Sequence, residues 1–327
     1  MTGSQPETTA VIIVNWNGWR DTLQACASVI RWGGPNLKLI LVDNASTDDS
    51  IVRIRKQLPA VELIANSVNA GFAGGCNLGI RRALDLGCKY ILLLNNDAVV
   101  GPKTISELIV ASKRLKDGAI LGSVVRYSNT QGYQFFGSQR SEATGQPCWF
   151  EYTRDHAHLT SPLIESDFIL GAALFAPSDI FRTVGEFDER FYLTYEDTDL
   201  CYRAKARGIG SFIVTSSEVE HYASATMGPV TAPLQTYFLT RNELLFIEKH
   251  CSRSLRFVMH ARRLRRLIWR IVQAVVARRL THPSTIAMIF GYRDYVLRRF
   301  GDCPRRIRIY ATAYATAISP DLCTRAS

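Results

Sequence analysis

The first third of the chain alternates short apolar runs with stretches of helical spacing. The mostly apolar runs are 10–14, 37–42, 61–65 and 90–94, and each is followed by polar or glycine residues. Runs of this length can cross a buried parallel sheet, and the stretches between them predict helices. Strand and helix in alternation are typical of a doubly wound α/β sheet.

The run that starts at Tyr90 ends most clearly in polar groups, because Asn95, Asn96 and Asp97 follow it directly. In open α/β sheets, ligands bind at the carboxyl ends of strands, and a carboxylate there must be offset by a cation, a donor or water. We interpret Asp97 as an anchor for a metal ion and a diphosphate. The alternative is an Asx turn that only ends the strand.

Similar polar residues follow the other runs. Right-handed crossovers should bring Asn15, Asp43, the segment from Asn69 to Asn77 and Asp97 to one edge of the sheet. The sequence therefore predicts that these separate segments form a single site.

A glycine-rich loop follows the third run, with Gly71, Gly74 and Gly75 at a predicted helix start. These glycines could let backbone N–H groups approach a phosphate, or they could serve a tight turn and close helix packing. A dinucleotide-binding loop would have the spacing G-x-G-x-x-G after the first strand, and this loop has neither feature. An oxidoreductase is therefore disfavoured.

The pattern changes after residue 125. Residues 126–160 are aromatic and poorly periodic, which predicts hairpins or a mobile loop, and residues 168–175 predict a further strand. Another predicted strand, 212–215, is followed by His221. A lone histidine of this kind is more often structural than a ligand.

An acidic cluster opens the helix predicted to end near Gly208. Glu196, Asp197 and Asp199 follow an aromatic stretch that could form a pocket wall. Acids at a helix start interact favourably with the helix dipole, but one suffices for that purpose. Three acids at this spacing indicate general-base chemistry.

Composition narrows the setting. The 327 residues are 47% hydrophobic and 21% charged, as in a globular protein, and the net charge of +10 is concentrated in arginines of 253–279 and 293–308. The eight cysteines contain no Cys-x-x-Cys pair, no signal peptide precedes the first strand, and no apolar window is long enough to span a bilayer. We expect a reduced, cytoplasmic location.

The basic region includes a predicted amphipathic helix. From Phe257 onward, Leu264, Ile268 and Val275 recur on one face, and Arg266 and Arg270 lie on the opposite face. Such a helix suits the surface of an anionic membrane. In the alternative, the apolar stripe packs on the catalytic domain and the arginines are solvated. Nucleic acid is a poorer partner, because no groove-reading motif accompanies the arginines.

Taken together, the motifs resemble those of the family 2 inverting glycosyltransferases with the GT-A fold, and within them the bacterial rhamnosyltransferase-like branch. The resembling segments are Val14–Asn17, Val42–Asp48, Asn69–Asn77, Leu94–Asp97, Gly171–Ala173, Gly185–Phe191, Glu196–Leu200 and Arg241–Asn242. They occur in the expected order over about residues 10–250. The implied fold is a mixed, mainly parallel Rossmann-like sheet with a C-terminal helical extension.

The resemblance also implies roles for particular residues. Residues near the nucleotide sugar would be Asn15, Asn17, Asp43, Asn69, Gly71, Asn77, Asn95 and Asn96. Asp97 would bind Mg²⁺ or Mn²⁺, with Asn95 in place of the first acid of the family's DxD motif, and His221 matches a second metal ligand. Asp197 would be the catalytic base, supported by Glu196 and Asp199, and Gly171, Ala172 and Ala173 would flank the acceptor.

The implied reaction transfers a sugar, L-rhamnose from dTDP-rhamnose by branch resemblance, to a saccharide or polyprenyl-diphosphate-linked acceptor during cell-surface polysaccharide synthesis. Alternatives are a UDP-sugar donor (galactofuranose or an N-acetylhexosamine), a nucleotidyltransferase, and a non-catalytic membrane-bound module. The expected organisation is a tail at 1–9, a catalytic domain at 10–250 divided at 125/126 into nucleotide-binding and acceptor-binding halves, and a basic helical region at 251–327. That region would hold the enzyme peripherally on the inner face of the membrane.

Overall fold

The computed structural model describes residues 7–128, 132–140, 147–149, 161–222 and 233–318. Most of the predicted tail and much of the predicted loop at 126–160 lie outside these ranges. Of the tail residues that are described, Thr9 already belongs to regular structure, because it begins the first strand.

Strands and helices alternate over the first half of the chain, as predicted. The elements are β1 (Thr9–Asn15), α1 (Trp19–Trp32), β2 (Leu37–Asn44), α2 (Ser50–Gln57), β3 (Glu62–Asn66), α3 (Gly71–Asp85), β4 (Tyr90–Asn95), β5 (Ala98–Val100), α4 (Thr104–Arg114) and β6 (Ala119–Tyr127). The elements that follow are β7 (Tyr133–Phe135), β8 (Ser138–Arg140), β9 (Pro147–Trp149), β10 (Leu163–Glu165), β11 (Ala173–Pro177), α5 (Ser178–Val184), α6 (Glu196–Lys205) and β12 (Gly210–His221).

Ten of the described strands form one mixed sheet in the order β10, β12, β6, β11, β4, β1, β2, β3, with β5 beside β12 and β7 beside β6. The neighbours β4, β1, β2 and β3 are parallel, and β11 runs antiparallel to both β4 and β6. β8 and β9 form a separate antiparallel pair. The predicted mixed α/β class is confirmed.

Two predicted strands differ from those observed. The strand expected at 168–175 is shorter and later, because only Ala173–Pro177 pairs with β4. The strand expected at 212–215 is longer, so that His221 is its last residue and does not follow it. Both differences arise from long-range pairing, which local periodicity does not report.

The glycines of α3 allow this helix to pack closely against β1. A Cβ atom on Gly75 would lie 2.7 Å from Val14 Cγ1, and one on Gly79 would lie 2.3 Å from Ile12 Cγ2. Residues four apart lie on one face of a helix, so both positions face the same buried strand. The close packing of α3 against β1 therefore explains Gly75. Close helix packing was one of the two interpretations of the glycine-rich loop.

The chain divides into two compact units and passes between them at three points. The first unit contains residues up to 188 and 197–223, and the second contains 189–196 and 224–327. The described helices of the second unit are α7 (Pro233–His250), α8 (Arg253–Val276), α9 (Pro283–Val296) and α10 (Arg305–Ile318). α7 thus belongs with the C-terminal helices and not with the sheet.

Within the second unit, Arg241 and Asn242 of α7 hold the segment that leads into α6. The fully buried Arg241 donates to the carbonyls of Phe191 (3.0 Å) and Gly301 (2.5 Å), and Asn242 Nδ2 donates to three carbonyls, those of Phe191, Leu193 and Thr194. Tyr192, Thr194 and Tyr195 have φ of 64°, 69° and 71°. Because this left-handed conformation is costly for residues with a side chain, the segment depends on these bonds.

The arginine face of α8 is turned toward the other helices of the second unit. Met259 and Ala274 on this side are buried, whereas Phe257 is 77% exposed, Ile268 53% and Val275 52%. An amphipathic helix in a globular protein normally buries its apolar stripe. The apolar stripe of α8 therefore stays exposed beside the other described helices of the second unit.

Within the described ranges, no helix is both long and apolar enough to cross a bilayer. Six cysteines are buried free thiols: Cys26, Cys76, Cys88, Cys201, Cys251 and Cys303.

Candidate active site

The ends of β1 and β2 are joined by a buried hydrogen-bond network. Asn15 lies opposite Asp43 in the parallel register, and its Nδ2 donates to Asp43 Oδ2 (2.7 Å) and to Ser46 Oγ (3.0 Å). Ser46 donates its own N–H and hydroxyl to Asp43. Asn15 and Asp43 have no exposed surface. These two side chains therefore fix the positions of the loops that follow β1 and β2.

Asn17 and Asn96 extend this network toward solvent. Asn17 has φ of 52°, a conformation that asparagine tolerates, and its Oδ1 accepts from the N–H of Thr47 (2.7 Å). Asn96 Nδ2 donates to Thr22 Oγ1 (3.3 Å), and Thr22 donates to Asn15 Oδ1. Both asparagines keep part of their surface exposed, so they are accessible to a ligand at this edge.

The segment from Asn69 to Asn77 is also anchored by asparagine side chains. Asn44 Nδ2 donates to Asn69 Oδ1 (3.0 Å) and to the Gly71 carbonyl (2.9 Å), and Gly71 N donates to Asn69 Oδ1. The Asn77 amide is buried and bonds to both the N–H and the carbonyl of Phe187. Asn77 therefore fastens α3 to the loop after α5, and this structure gives it no surface for a nucleotide.

Asp97 and His221 meet where β4 and β12 end. His221 Nε2 lies 3.0 Å from Asp97 Oδ1 and 3.3 Å from Asn95 Nδ2. The other ring nitrogen, Nδ1, lies 2.6 Å from Gln134 Oε1 on β7. The tautomer with its proton on Nδ1 donates to Gln134 and leaves the Nε2 lone pair available to a metal ion beside Asp97. Such a partner for the far nitrogen commonly fixes the tautomer of a metal-binding histidine.

Asp197 is held at the start of α6 by three donors. Its Oδ2 accepts from the N–H of Gly171 (2.9 Å), and its Oδ1 accepts from the N–H (2.6 Å) and the hydroxyl (3.1 Å) of Thr198. Burial raises the pKa of the Asp197 carboxyl, because desolvation disfavours its charged form, and these hydrogen bonds only partly oppose the shift. A carboxylate with a raised pKa is a stronger base than an ordinary surface aspartate.

The two other acids of the cluster have different surroundings. Asp199 is fully buried and pairs through Oδ2 with Arg203 Nε (2.8 Å). Arg203 also donates to the carbonyls of Val184 and Glu186. Asp199 therefore anchors a structural arginine. Glu196 is buried as the first residue of α6 and belongs to the second unit.

Residues 171–173 connect Asp197 with the end of β4. Gly171 donates to Asp197, the carbonyl of Ala172 accepts from the N–H of Asn95 (3.1 Å), and Ala173 pairs with Leu94. Asn95 in turn contacts His221. The structure thus brings Asp197 and the Asp97–His221 pair into one hydrogen-bonded region of the first unit.

Sequence reasoning missed four residues of this site. They are Thr22, Ser46, Gln134 and Thr198, which respectively contact Asn15, Asp43, His221 and Asp197. Ser46 and Thr198 lie within three residues of the acids they contact, so turn and cap chemistry could have indicated them. Gln134 lies 87 residues from His221, and its sequence surroundings carry no such signal.

Comparison with known families decides the class. The family model described as Glycosyl transferase family 2 matches residues 10–174, about half of the chain. This chain belongs to glycosyl transferase family 2. The match includes Asn15, Asp43 and Asp97 but ends before Asp197 and His221. The match assigns no role to a particular residue, so the roles of all five remain predictions.

Curated family 2 relatives are similar over much of the chain. N-acetylglucosaminyl-diphospho-decaprenol L-rhamnosyltransferase of Mycobacterium tuberculosis is 27% identical over 59% of this chain and 68% of its own length. The dTDP-rhamnosyl transferase RfbF of Shigella flexneri is 23% identical over 73% of this chain and 79% of its own. These similarities support sugar transfer in polysaccharide synthesis as the activity of this glycosyltransferase.

Solved structures share the fold. S. aureus TarS 1–349 has a TM-score of 0.54 at 12% identity, covering 98% of this chain and 89% of its own. GalNAc-T7, solved with UDP, GalNAc and Mn²⁺, has a TM-score of 0.56 at 15% identity, covering 75% of this chain and 51% of its own. The predicted GT-A fold is confirmed.

Proposed function

We propose that this glycosyltransferase moves L-rhamnose from dTDP-rhamnose to a hydroxyl of a saccharide or polyprenyl-diphosphate-linked acceptor, with inversion at the anomeric carbon. The observation that carries the proposal is the connection of a buried, basic Asp197 through residues 171–173 to the Asp97–His221 pair. Two relatives are named rhamnosyltransferases, which supports the donor sugar.

In this mechanism Asp197 removes the proton from the acceptor hydroxyl as its oxygen attacks the anomeric carbon. The bond from that carbon to the diphosphate oxygen breaks on the opposite face, which inverts the configuration. The donors on Asp197, from Gly171 and Thr198, fix the carboxylate in position before the substrate arrives. Such positioning is itself a large part of the rate enhancement of an enzyme.

The Asp97–His221 pair fits a divalent cation. Two neighbouring ligands of an octahedral ion with bonds of about 2.1 Å lie roughly 3 Å apart, and Asp97 Oδ1 and His221 Nε2 are separated by 3.0 Å. Among the described residues, no third His, Cys, Asp or Glu side chain completes a group that could hold a metal ion. Mg²⁺ tolerates few protein ligands because it keeps water and takes phosphate oxygens. Bound there, Mg²⁺ or Mn²⁺ would supply positive charge to the departing diphosphate.

Three alternatives make different predictions about ligands. A UDP-sugar-dependent transferase would prefer uridine nucleotides. A nucleotidyltransferase would need a basic triphosphate-binding loop after β1, where Arg20 is the single basic residue of the segment 15–20. A non-catalytic module would bind no nucleotide, although it could keep the fold.

The decisive test is a calorimetric titration with dTDP, UDP, GDP and ADP, first with Mg²⁺ and then with a chelator. We expect dTDP to bind most tightly, and the chelator to weaken binding by about tenfold or more, since phosphate contacts through the metal are lost. Preference for UDP would select the UDP-sugar alternative. Absence of binding to every nucleotide would contradict the catalytic proposal.

The exposed apolar face of α8 supports a second part of the proposal, peripheral attachment to an anionic membrane. Phe257, Leu264, Ile268 and Val275 are exposed on one face, and Trp269 is exposed beside them. Helices that lie in the plane of a membrane combine such a face with arginines and an interfacial tryptophan.

Ile268→Asp should weaken binding to phosphatidylglycerol vesicles roughly tenfold or more, because it removes a side chain whose burial in the membrane is worth about 1.5–3 kcal/mol and inserts a charge. Vesicle co-sedimentation measures the effect. Val52→Asp is the matched control, since Val52 is an exposed valine on α2. Equal loss in both variants would indicate a general charge effect and would contradict a membrane role for α8.

A further inference from the structure

A groove in the second unit is lined by α7, α8 and α9, and its lining contains more basic than acidic side chains. Its volume is about 1030 Å³, and four arginines line it: Arg263, Arg266, Arg270 and Arg279. The lining includes one acid, Glu243, which already pairs with Arg263. Hydroxyl groups of Thr236, Thr240 and Thr285 also line the groove.

Three of these arginines have no acidic partner among the described residues. Three arginines elsewhere in the second unit do have one: Arg293 pairs with Asp294, Arg298 with Glu248 and Arg308 with Asp302. Arg266, Arg270 and Arg279 make no such pair, although they line the same concave surface. A concave group of uncompensated guanidinium groups favours an anion, and arginine binds phosphate oxygens through paired N–H donors.

Apolar side chains of the same groove reach the exposed face of α8. Val272 and Val276 line the groove and are 53% and 79% exposed. They follow Leu264 and Ile268 along the helix, so the groove opens toward the apolar stripe near the end of α8. A ligand that fits both surfaces carries an anionic head and an apolar chain.

The geometry of an interfacial helix explains how one lipid could contact both the arginines and the apolar residues of the groove. Such a helix lies at the boundary of acyl chains and headgroups, and its diameter with side chains is about 10 Å. When the apolar stripe of α8 contacts acyl chains, its arginine side lies at the level of lipid phosphates. Arg266 and Arg270 are on that side.

We propose that this groove binds the diphosphate of a polyprenyl-diphosphate lipid, with the prenyl chain leaving over Val272 and Val276. Three uncompensated arginines match the charge of a diphosphate better than the single charge of a phospholipid phosphodiester. The groove is also larger than a phosphodiester needs. The inference rests on the proposed function only in naming this lipid as the acceptor, because binding itself requires no transfer.

The test measures binding of the full chain to phosphatidylcholine vesicles that carry a polyprenyl diphosphate, against the same vesicles with phosphatidylglycerol at equal total charge. Because both vesicle types carry the same total charge, the contribution of general electrostatic attraction cancels in the ratio of the two affinities. We expect the unmodified protein to prefer the diphosphate vesicles by about tenfold or more. Inorganic pyrophosphate in solution should compete for this preference.

The groove variant combines Arg266→Gln, Arg270→Gln and Arg279→Gln and should lose the preference. The control variant combines Arg253→Gln, Arg262→Gln and Arg265→Gln, which removes the same charge from α8 positions outside the groove and should keep the preference. Circular dichroism melting confirms that both variants fold. Both should bind dTDP or UDP with Mg²⁺ as the unmodified protein does.

Several results would overturn the assignment. They are equal affinity of the unmodified protein for both vesicle types, a preference retained by the groove variant, or competition by pyrophosphate without any preference for the lipid. Loss of nucleotide binding in the groove variant would assign the groove to the donor instead. If the protein preferred the diphosphate vesicles but bound no nucleotide, the groove assignment would be supported and the glycosyl-transfer proposal would be contradicted. The failure of one proposal can therefore be distinguished from the failure of the other.

Discussion

Asp197→Asn is expected to reduce the rate of sugar transfer by about 10²–10⁴-fold, the usual contribution of a general base, while donor binding changes little. The amide has nearly the same shape as the carboxylate but cannot accept the acceptor's proton. It also turns one NH₂ group toward a donor, either the N–H of Gly171 or the N–H of Thr198. A local stability loss of about 1–3 kcal/mol should accompany the change.

Single-turnover transfer and a separate nucleotide titration measure the two effects. Asp179→Asn is a suitable control, because Asp179 is a surface residue of α5 and pairs there with Arg182. Equal loss of transfer and of donor binding in Asp197→Asn would contradict the assignment of Asp197 as base, since a collapsed site would explain both.

The raised pKa of Asp197 gives this assignment a pH signature. Transfer needs the ionised carboxylate, so the rate should fall as pH drops through the pKa of Asp197 in the folded protein. Because burial raises this pKa, the fall should lie above 3.8, the ordinary value for aspartate. A profile of kcat/KM that stays flat down to that value would show that a group with an unraised pKa controls the reaction.

Asp97→Ala is expected to lower the affinity for the nucleotide in Mg²⁺ by about 10- to 100-fold and to make the remaining binding insensitive to chelator. His221→Ala should act in the same direction. The reason is the 3.0 Å approach of Asp97 Oδ1 and His221 Nε2, which places two ligand atoms around one position. The paramagnetism of Mn²⁺ allows metal binding to be measured without nucleotide.

Glu220→Ala is the matched control for both variants. Glu220 precedes His221 on β12, and its side chain points to the opposite, exposed side of the strand. The substitution removes a carboxylate next to the site without changing Asp97 or His221. If Asp97→Ala kept full affinity in Mg²⁺ and full sensitivity to chelator, Asp97 and His221 would form only a structural hydrogen bond.

Local patterning was sufficient for the strands of the sheet's parallel part and for the polar residues at their ends. The four apolar runs correspond to β1, β2, β3 and β4, and the parallel register places Asn15 beside Asp43 and Val14 beside Asn95. Because parallel strands share one direction, their carboxyl ends must meet at one edge. The motifs in these segments therefore led correctly to glycosyl transferase family 2.

The tertiary structure decided which partners those polar residues contact. Asn77 and Asp199 look like site residues in the sequence, yet each is buried against a structural partner, Phe187 and Arg203. Gln134 carries no signal in the sequence, yet it contacts His221. A side chain's partners depend on contacts between residues distant in the chain, and motif spacing does not contain that information.

The orientation of α8 shows the same limit. Helical spacing alone defined its apolar and arginine faces, because 3.6 residues complete each turn. Spacing cannot say which face turns outward, since that depends on the surfaces of α7 and α9 against which the helix packs. The sequence thus determined the strands of the sheet's parallel part, the family motifs and the two faces of this helix. Only the packing decided that the apolar face is exposed and that Arg266, Arg270 and Arg279 line a groove.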